Sequence, residues 1–215
     1  MTARPQYPKV ALTGHRVFNL SETQRRNMDA GLPLIVRTLA RWYGTTTLIS
    51  GMALGADMIW AHLAVSHGLD LHAYVPFTGQ EAKWTHTDQA AYQELLSQAS
   101  MVRVFGQSYS NHLYHVRNEV MLADCDLMVA AWCPRKRKGG TASTVRKARE
   151  SGKPLLVLDL DSGKVDWFQK QTRARVASVP ASTRASPCRP FPLSYLHHPL
   201  GTPHVTPTTP CLENL

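Results

Sequence analysis

Residues 47–61, Thr-Leu-Ile-Ser-Gly-Met-Ala-Leu-Gly-Ala-Asp-Met-Ile-Trp-Ala, leave the chain few ways to fold. They read as a short apolar strand from Thr47 to Ile49, a glycine-containing turn from Ser50 to Gly55, and a helix from about Ala56. Glycine permits positive φ and lets a ligand approach the backbone without a Cβ in the way. The first turn of the helix presents amide N–H groups with no intrahelical partner, at the positive end of the helix dipole. Together these parts make an anion site of the kind most often used for phosphate. Taken alone, the stretch is equally well an ordinary strand-to-helix turn.

Two further glycine turns shift that balance. Lys9 to Gly14 is apolar on both faces, as a central parallel strand would be, and runs into Thr13-Gly14-His15-Arg16. Gly139-Gly140-Thr141 opens a helix that runs to about Ser151. Between them the pattern predicts a capping box at Ser21 to Gln24, a break at Gly31 and Pro33, and a helix from Leu32 to Tyr43. It continues with a strand from Asp70 to Pro76, a helix from Gln80 to Gln98, and a strand from Met101 to Phe105. A helix around Val116 to Ala123, a strand from Asp126 to Trp132, and a last strand from Pro154 to Leu160 complete the sheet. This alternation predicts an α/β chain: a Rossmann-like, doubly wound, mainly parallel sheet with helices on both faces. Ligands of such sheets sit beyond the carboxyl ends of the strands, where strand order reverses. All three glycine turns fall on that edge, which predicts a nucleotide-sized pocket there.

The net charge of +9 is unevenly spread. Arg135-Lys136-Arg137-Lys138 supplies four of the positive charges in one loop, which is either a solvated basic loop or a phosphate clamp. A duplex-binding face would need a broader stripe. Residues 1–172 are predicted to form one nucleotide-binding domain, and residues 173–215, rich in Pro, Ser and Thr, a disordered tail. No apolar run is long enough to span a bilayer and the N-terminus lacks a signal-peptide core, so a cytoplasmic location is expected. The four widely spaced cysteines suggest no metal site.

The ordered motifs carry a resemblance. Thr13-Gly14-His15-Arg16 followed by Ser50-Gly51-Met52-Ala53-Leu54-Gly55-Ala56-Asp57 resembles the opening of the SLOG superfamily, which groups the DprA/SMF proteins, the Lonely Guy phosphoribohydrolases and the YpsA-like proteins. Pro76-Phe77 with Gln80 and Trp84, Tyr92, and Arg117-Asn118-Glu119-Val120-Met121 point to the YpsA-like branch. Gly139-Gly140-Thr141 and its helix are the last of six motifs, over roughly residues 8–160. The resemblance implies a fold that binds a nucleotide or nucleotide-derived ligand.

On these grounds the expected ligand-binding residues are Thr13, Gly14, His15, Arg16, Ser50, Gly51, Met52, Ala53, Gly55 and Asp57. Arg117, Asn118, Trp132, Gly139, Gly140 and Thr141 complete the set. Arg16 can grip a phosphate in a bidentate way. His15 and Asp57 are as readily structural, the latter by capping its helix. Trp132, ending a strand on the ligand edge, is the better candidate than Trp84 to stack on a base.

The Lonely Guy enzymes have a motif resembling Pro-Gly-Gly-x-Gly-Thr-x-x-Glu, whose glutamate is tied to N-glycosidic cleavage. Here Thr144 stands in the glutamate's place, and Glu119 is the one motif carboxylate left for such chemistry. The first expectation is therefore a protein that binds or senses a nucleotide, ADP-ribose- or NAD-derived, with no cofactor required. A nucleotide N-glycosidase using Glu119 is the alternative. Single-stranded DNA binding of the DprA kind ranks third, and nucleic acid is accordingly not expected as a partner. A membrane partner is likewise not expected, and a homodimer is left open.

Overall fold

The structure is a computed structural model and describes residues 4–168. The expectation for residues 173–215 lies outside the described residues. Seven strands form one sheet: β1 Lys9–Gly14, β2 Thr47–Ser50, β3 Asp70–Val75, β4 Met101–Val104, β5 Leu127–Trp132, β6 Leu155–Asp159 and β7 Val165–Phe168. Their order is β4-β3-β2-β1-β5-β6-β7, and every neighbouring pair is parallel except β6 with β7. Five helices connect them: α1 Glu22–Trp42, α2 Ala56–Ser66, α3 His86–Ser97, α4 Asn111–Asp124 and α5 Gly140–Ser151. The predicted doubly wound sheet is what the chain adopts.

Alternation along the strands feeds two cores. Val10 and Leu12 of β1 face α1, α2 and α3, together with Leu48, Leu71 and Val129. Ala11 of the same strand faces α4 and α5, with Ile49, Met128 and Val157. Residues on both faces of β1 are thus buried, as a central strand requires. Strand order reverses between β1 and β5, which are paired through Gly14 and Ala131.

Four expectations need correction. No break occurs at Gly31 and Pro33. After a complete capping box, Ser21 Oγ accepting from Gln24 N and Gln24 Oε1 from Ser21 N, α1 runs unbroken for 21 residues. Its buried stripe of Met28, Leu32, Ile35, Val36 and Leu39 spans the proline, so packing outweighs a penalty of about 3 kcal/mol. Gly31 has a separate role: a Cβ there would meet Leu158 at 2.7 Å, so its absence lets α1 lie close on β6.

The helix expected from Gln80 starts at His86, where the Thr85 side chain caps it by accepting from Asp88 N at 3.2 Å. Gln80 itself is buried and donates to the Met52 carbonyl at 2.9 Å. The helix expected around Val116 starts earlier, at Asn111. Finally, β6 does not close the sheet, because β7 pairs with it antiparallel. Trp167 of β7 packs on Tyr7 and Tyr43 at centroid distances of 5.9 and 5.5 Å, an aromatic anchor that a four-residue strand needs. Among the described residues no helix is long and apolar enough to cross a membrane.

Candidate functional site

The reversal of strand order opens a cleft of about 1030 Å³ beyond the carboxyl ends of the strands. Its floor is built where the first and last glycine turns meet. His15 N donates to the Ala131 carbonyl at 3.3 Å, and Thr141 Oγ1 donates to the Gly14 carbonyl at 2.9 Å. The first bond extends the β1–β5 pairing past Gly14, and the second fixes the start of α5 over it. Gly139 caps that helix at φ 102°, a conformation that favours glycine, with open space where a side chain would be. The N-terminal amides of α5 therefore stand at the cleft with the dipole behind them.

His15 lines the cleft, and its Nε2 accepts from Cys133 N at 3.3 Å. That bond places the ring proton on Nδ1. Burial, and then the charge of Lys136, hold the imidazole below its usual 6.5. The ring is thus a neutral donor at neutral pH.

The central motif works differently from the anion turn it suggests. Ser50 is fully buried and donates to the Asp57 carbonyl at 2.6 Å while accepting from Met52 N at 3.1 Å. Met52 is buried at φ 56°, the single non-glycine residue with positive φ among those described. Gly55, at φ 106°, lets α2 abut the first turn, since a Cβ there would lie 2.8 Å from the His15 carbonyl. The space over Gly51 is filled by the Arg117 guanidinium, which donates to the Gly51 carbonyl and pairs with Asp57 at 3.4 Å.

Arg117 and Asp57 are both buried at the cleft. Burial pushes the Asp57 carboxyl up, and the neighbouring guanidinium pulls against that. Burial likewise pushes Arg117 down, with Asp57 opposing. Its Nε is buried with no hydrogen-bond partner among the described residues.

Charge is the cleft's dominant property. Arg16, Arg117, Lys136, Arg137, Lys138 and Arg146 line it, and Asp57 is the one carboxylate among its described lining residues. Of the expected site residues, Thr13, Gly14, His15, Arg16, Ala53, Asp57, Arg117, Asn118, Gly139, Gly140 and Thr141 are brought together there. Ser50, Gly51, Met52 and Gly55 stand behind the wall. Trp132 lies outside as well: its Nε1 donates to the Lys136 carbonyl at 3.1 Å, and the Arg149 guanidinium lies 5.8 Å from its ring.

Glu119 is exposed and outside the cleft, ion-paired with Lys147, whose hydrogen bond lowers the carboxyl below its usual value. Thr144 donates to the Gly140 carbonyl at 3.0 Å and accepts from Asn118 at 3.4 Å, an uncharged link across the start of α5. Tyr109, Tyr114, His115 and Arg146 also line the cleft and were missed in the sequence. The two tyrosines belong to a polar loop and helix start on the ligand edge, a position that could have singled them out. Arg146 lies three residues after Ser143, on the same helical face. Among the described residues no group of three or more His, Cys, Asp or Glu side chains is placed to hold a metal.

A family model described as the YspA SLOG family matches residues 10–162, more than half of the chain. The chain belongs to the YspA SLOG family. The matched span carries the three glycine turns, as the resemblance implied. A comparison with curated proteins finds no match for this YspA SLOG protein.

Among solved structures, DNA processing protein A (DprA) from Streptococcus pneumoniae is similar at 19% identity and a TM-score of 0.53, over 70% of this chain and 50% of that one. DprA from Helicobacter pylori, described for its single-stranded DNA binding mode, is similar at 20% identity and a TM-score of 0.53. That likeness covers 73% of this chain and 71% of the other. The molybdenum cofactor binding protein of Rippkaea orientalis is similar at 18% identity and a TM-score of 0.47, over 74% and 78%. The likenesses to the two DprA structures show a shared fold. The YspA SLOG chain spans only half the length of the S. pneumoniae protein. The low rank given to nucleic acid as a partner is corrected here. A protein of this fold is described for binding single-stranded DNA, and the positive charge concentrates at the ligand edge rather than on scattered surface residues.

Proposed function

We propose that this protein binds nucleotides through their phosphates in the cleft, and that single-stranded nucleic acid is the form the cleft suits best. The observation that carries this reading is the charge of the cleft: six cationic side chains against one carboxylate already paired with Arg117. A single phosphate group cannot neutralise six cations, whereas a run of phosphodiesters can. An open, positively charged groove that follows the backbone is the usual arrangement for single strands. The likeness to the two DprA structures supports the same reading.

A free nucleotide, ADP-ribose- or NAD-derived, is the second reading. It is favoured by the helix start at Gly139, Gly140 and Thr141, whose free amides suit a phosphate group. For N-glycosidic hydrolysis a carboxylate would have to reach the ligand. Glu119 is engaged by Lys147 outside the cleft and Asp57 by Arg117 within it, so binding is the better supported activity.

Fluorescence anisotropy of a labelled oligothymidylate about twelve nucleotides long, titrated with the full chain, tests this reading. Binding that weakens steeply between roughly 50 and 200 mM salt is expected. No binding at the lowest salt would overturn it. Saturable binding of ADP-ribose or NAD without binding of the oligomer would replace it with the second reading.

A further inference from the structure

We propose that Tyr109 is the platform on which a base of the bound strand stacks; this rests on the single-strand reading above. Tyr109 lies in the loop between β4 and α4, lines the cleft, and is 70% exposed. Leaving that much aromatic surface in water is costly, and the ring is nonetheless held in place. Phe77, buried just past β3, meets Tyr109 edge-to-face at 5.5 Å and 85°. The same Phe77 meets Tyr114 of α4 at 5.7 Å and 87°. The loop is tied down by Thr78 N donating to the Gly106 carbonyl at 3.0 Å and by Thr78 Oγ1 donating to Gln107 at 3.4 Å. Tyr109 is therefore supported from behind and open at the cleft.

The two tryptophans weighed for stacking are already engaged. Trp132 faces Arg149, and Trp84 packs edge-to-face on Tyr92 at 5.3 Å. The aromatic group rises from the ends of β3 and β4, while the phosphate anchor rises from β1 and β5. Neighbouring strands are about 4.8 Å apart and two to four steps separate these strand ends, so the two groups stand roughly 10–19 Å from each other along the sheet edge. A short single strand covers that distance with a phosphate at one end and a base at the other. Stacking on an aromatic ring accepts any base, because each has a π face, and so gives affinity without sequence preference.

The test compares oligothymidylate with an abasic oligomer of equal length and charge, both against the full chain, by anisotropy. Tyr109→Ala is expected to weaken oligothymidylate binding on the order of 5- to 150-fold and to leave abasic binding unchanged. Tyr109→Phe should retain the wild-type preference for the oligomer with bases. Circular dichroism of each variant confirms the fold, which an exposed side chain should not alter. The platform is overturned, with the phosphate reading intact, if wild type binds both oligomers equally. It is equally overturned if Tyr109→Ala weakens both alike or neither. Failure of wild type to bind either oligomer overturns both proposals.

Discussion

The guanidinium of Arg117 occupies the space in which a side chain on Gly51 would lie. The two residues are far apart in sequence, one in the turn after β2 and the other on α4, and they form a single buried unit with Asp57. The glycine that looks made for a ligand thus makes room for the protein's own cation, which then forms part of the ligand wall.

Gly51→Ala should force that cation off its carbonyl and away from Asp57. Breaking a buried pair while leaving both charges buried costs about 3–5 kcal/mol, and the variant should lose stability on that scale in urea unfolding. A loss under about 0.5 kcal/mol would mean that Arg117 finds an equivalent position elsewhere.

Thr141→Val should remove the hydroxyl that joins α5 to the end of β1 while keeping the side-chain shape. The Gly14 carbonyl then loses a partner in a half-buried setting, at a cost of about 1 kcal/mol. Thr141→Ser should restore most of it. Equal stability of the Val and Ser variants would show that the methyl group, and not the hydroxyl, holds the joint.

His15 should titrate below 6.5, with NMR of its ring carbon-bound protons as the direct measurement. Because the folded state holds this proton less readily than the unfolded chain, the resulting stability is complete above pH 6.5. It is lost as pH falls through the folded value. The stability difference between wild type and His15→Asn should follow that course. A value above 6.5 would contradict the neutral ring and the Cys133 bond that fixes it.

Each cation that pairs with a phosphate of a single strand should contribute about 0.7 to the slope of log K against log salt concentration. Arg137→Ala and Lys138→Ala should each reduce the slope by about that amount. Arg135→Ala should not, because that guanidinium is held by both carboxylate oxygens of Asp161 at 3.0 Å. Unchanged slopes in the first two variants would remove the loop tip from the binding face.

The fold was legible because β1, β2 and β5 are short apolar runs alternating with helical stretches, the first two ending in glycine turns, as central parallel strands do. Boundaries set by tertiary packing were not. Pro33 sits inside a helix because the stripe from Met28 to Leu39 continues past it, and β7 exists because Trp167 finds Tyr7 and Tyr43. At the candidate site, the backbone positions of the first and last turns could be placed from strand ends alone. The direction of side chains could not: Glu119 turns to Lys147, Trp132 meets Arg149, and Tyr109 lies in a loop with no period to read.

The tie between Arg135 and Asp161 has one more consequence. With Arg135 fastened there and the Lys136 carbonyl taken by Trp132, the basic loop is moored at its near end, and at its far end α5 begins. Arg137 and Lys138 line the cleft from the short span between those two ties, so their reach is that of their long side chains. A lip of that kind tolerates uneven spacing between the anions it meets, so the cleft would grade its guests by how much charge they carry more than by their exact outline.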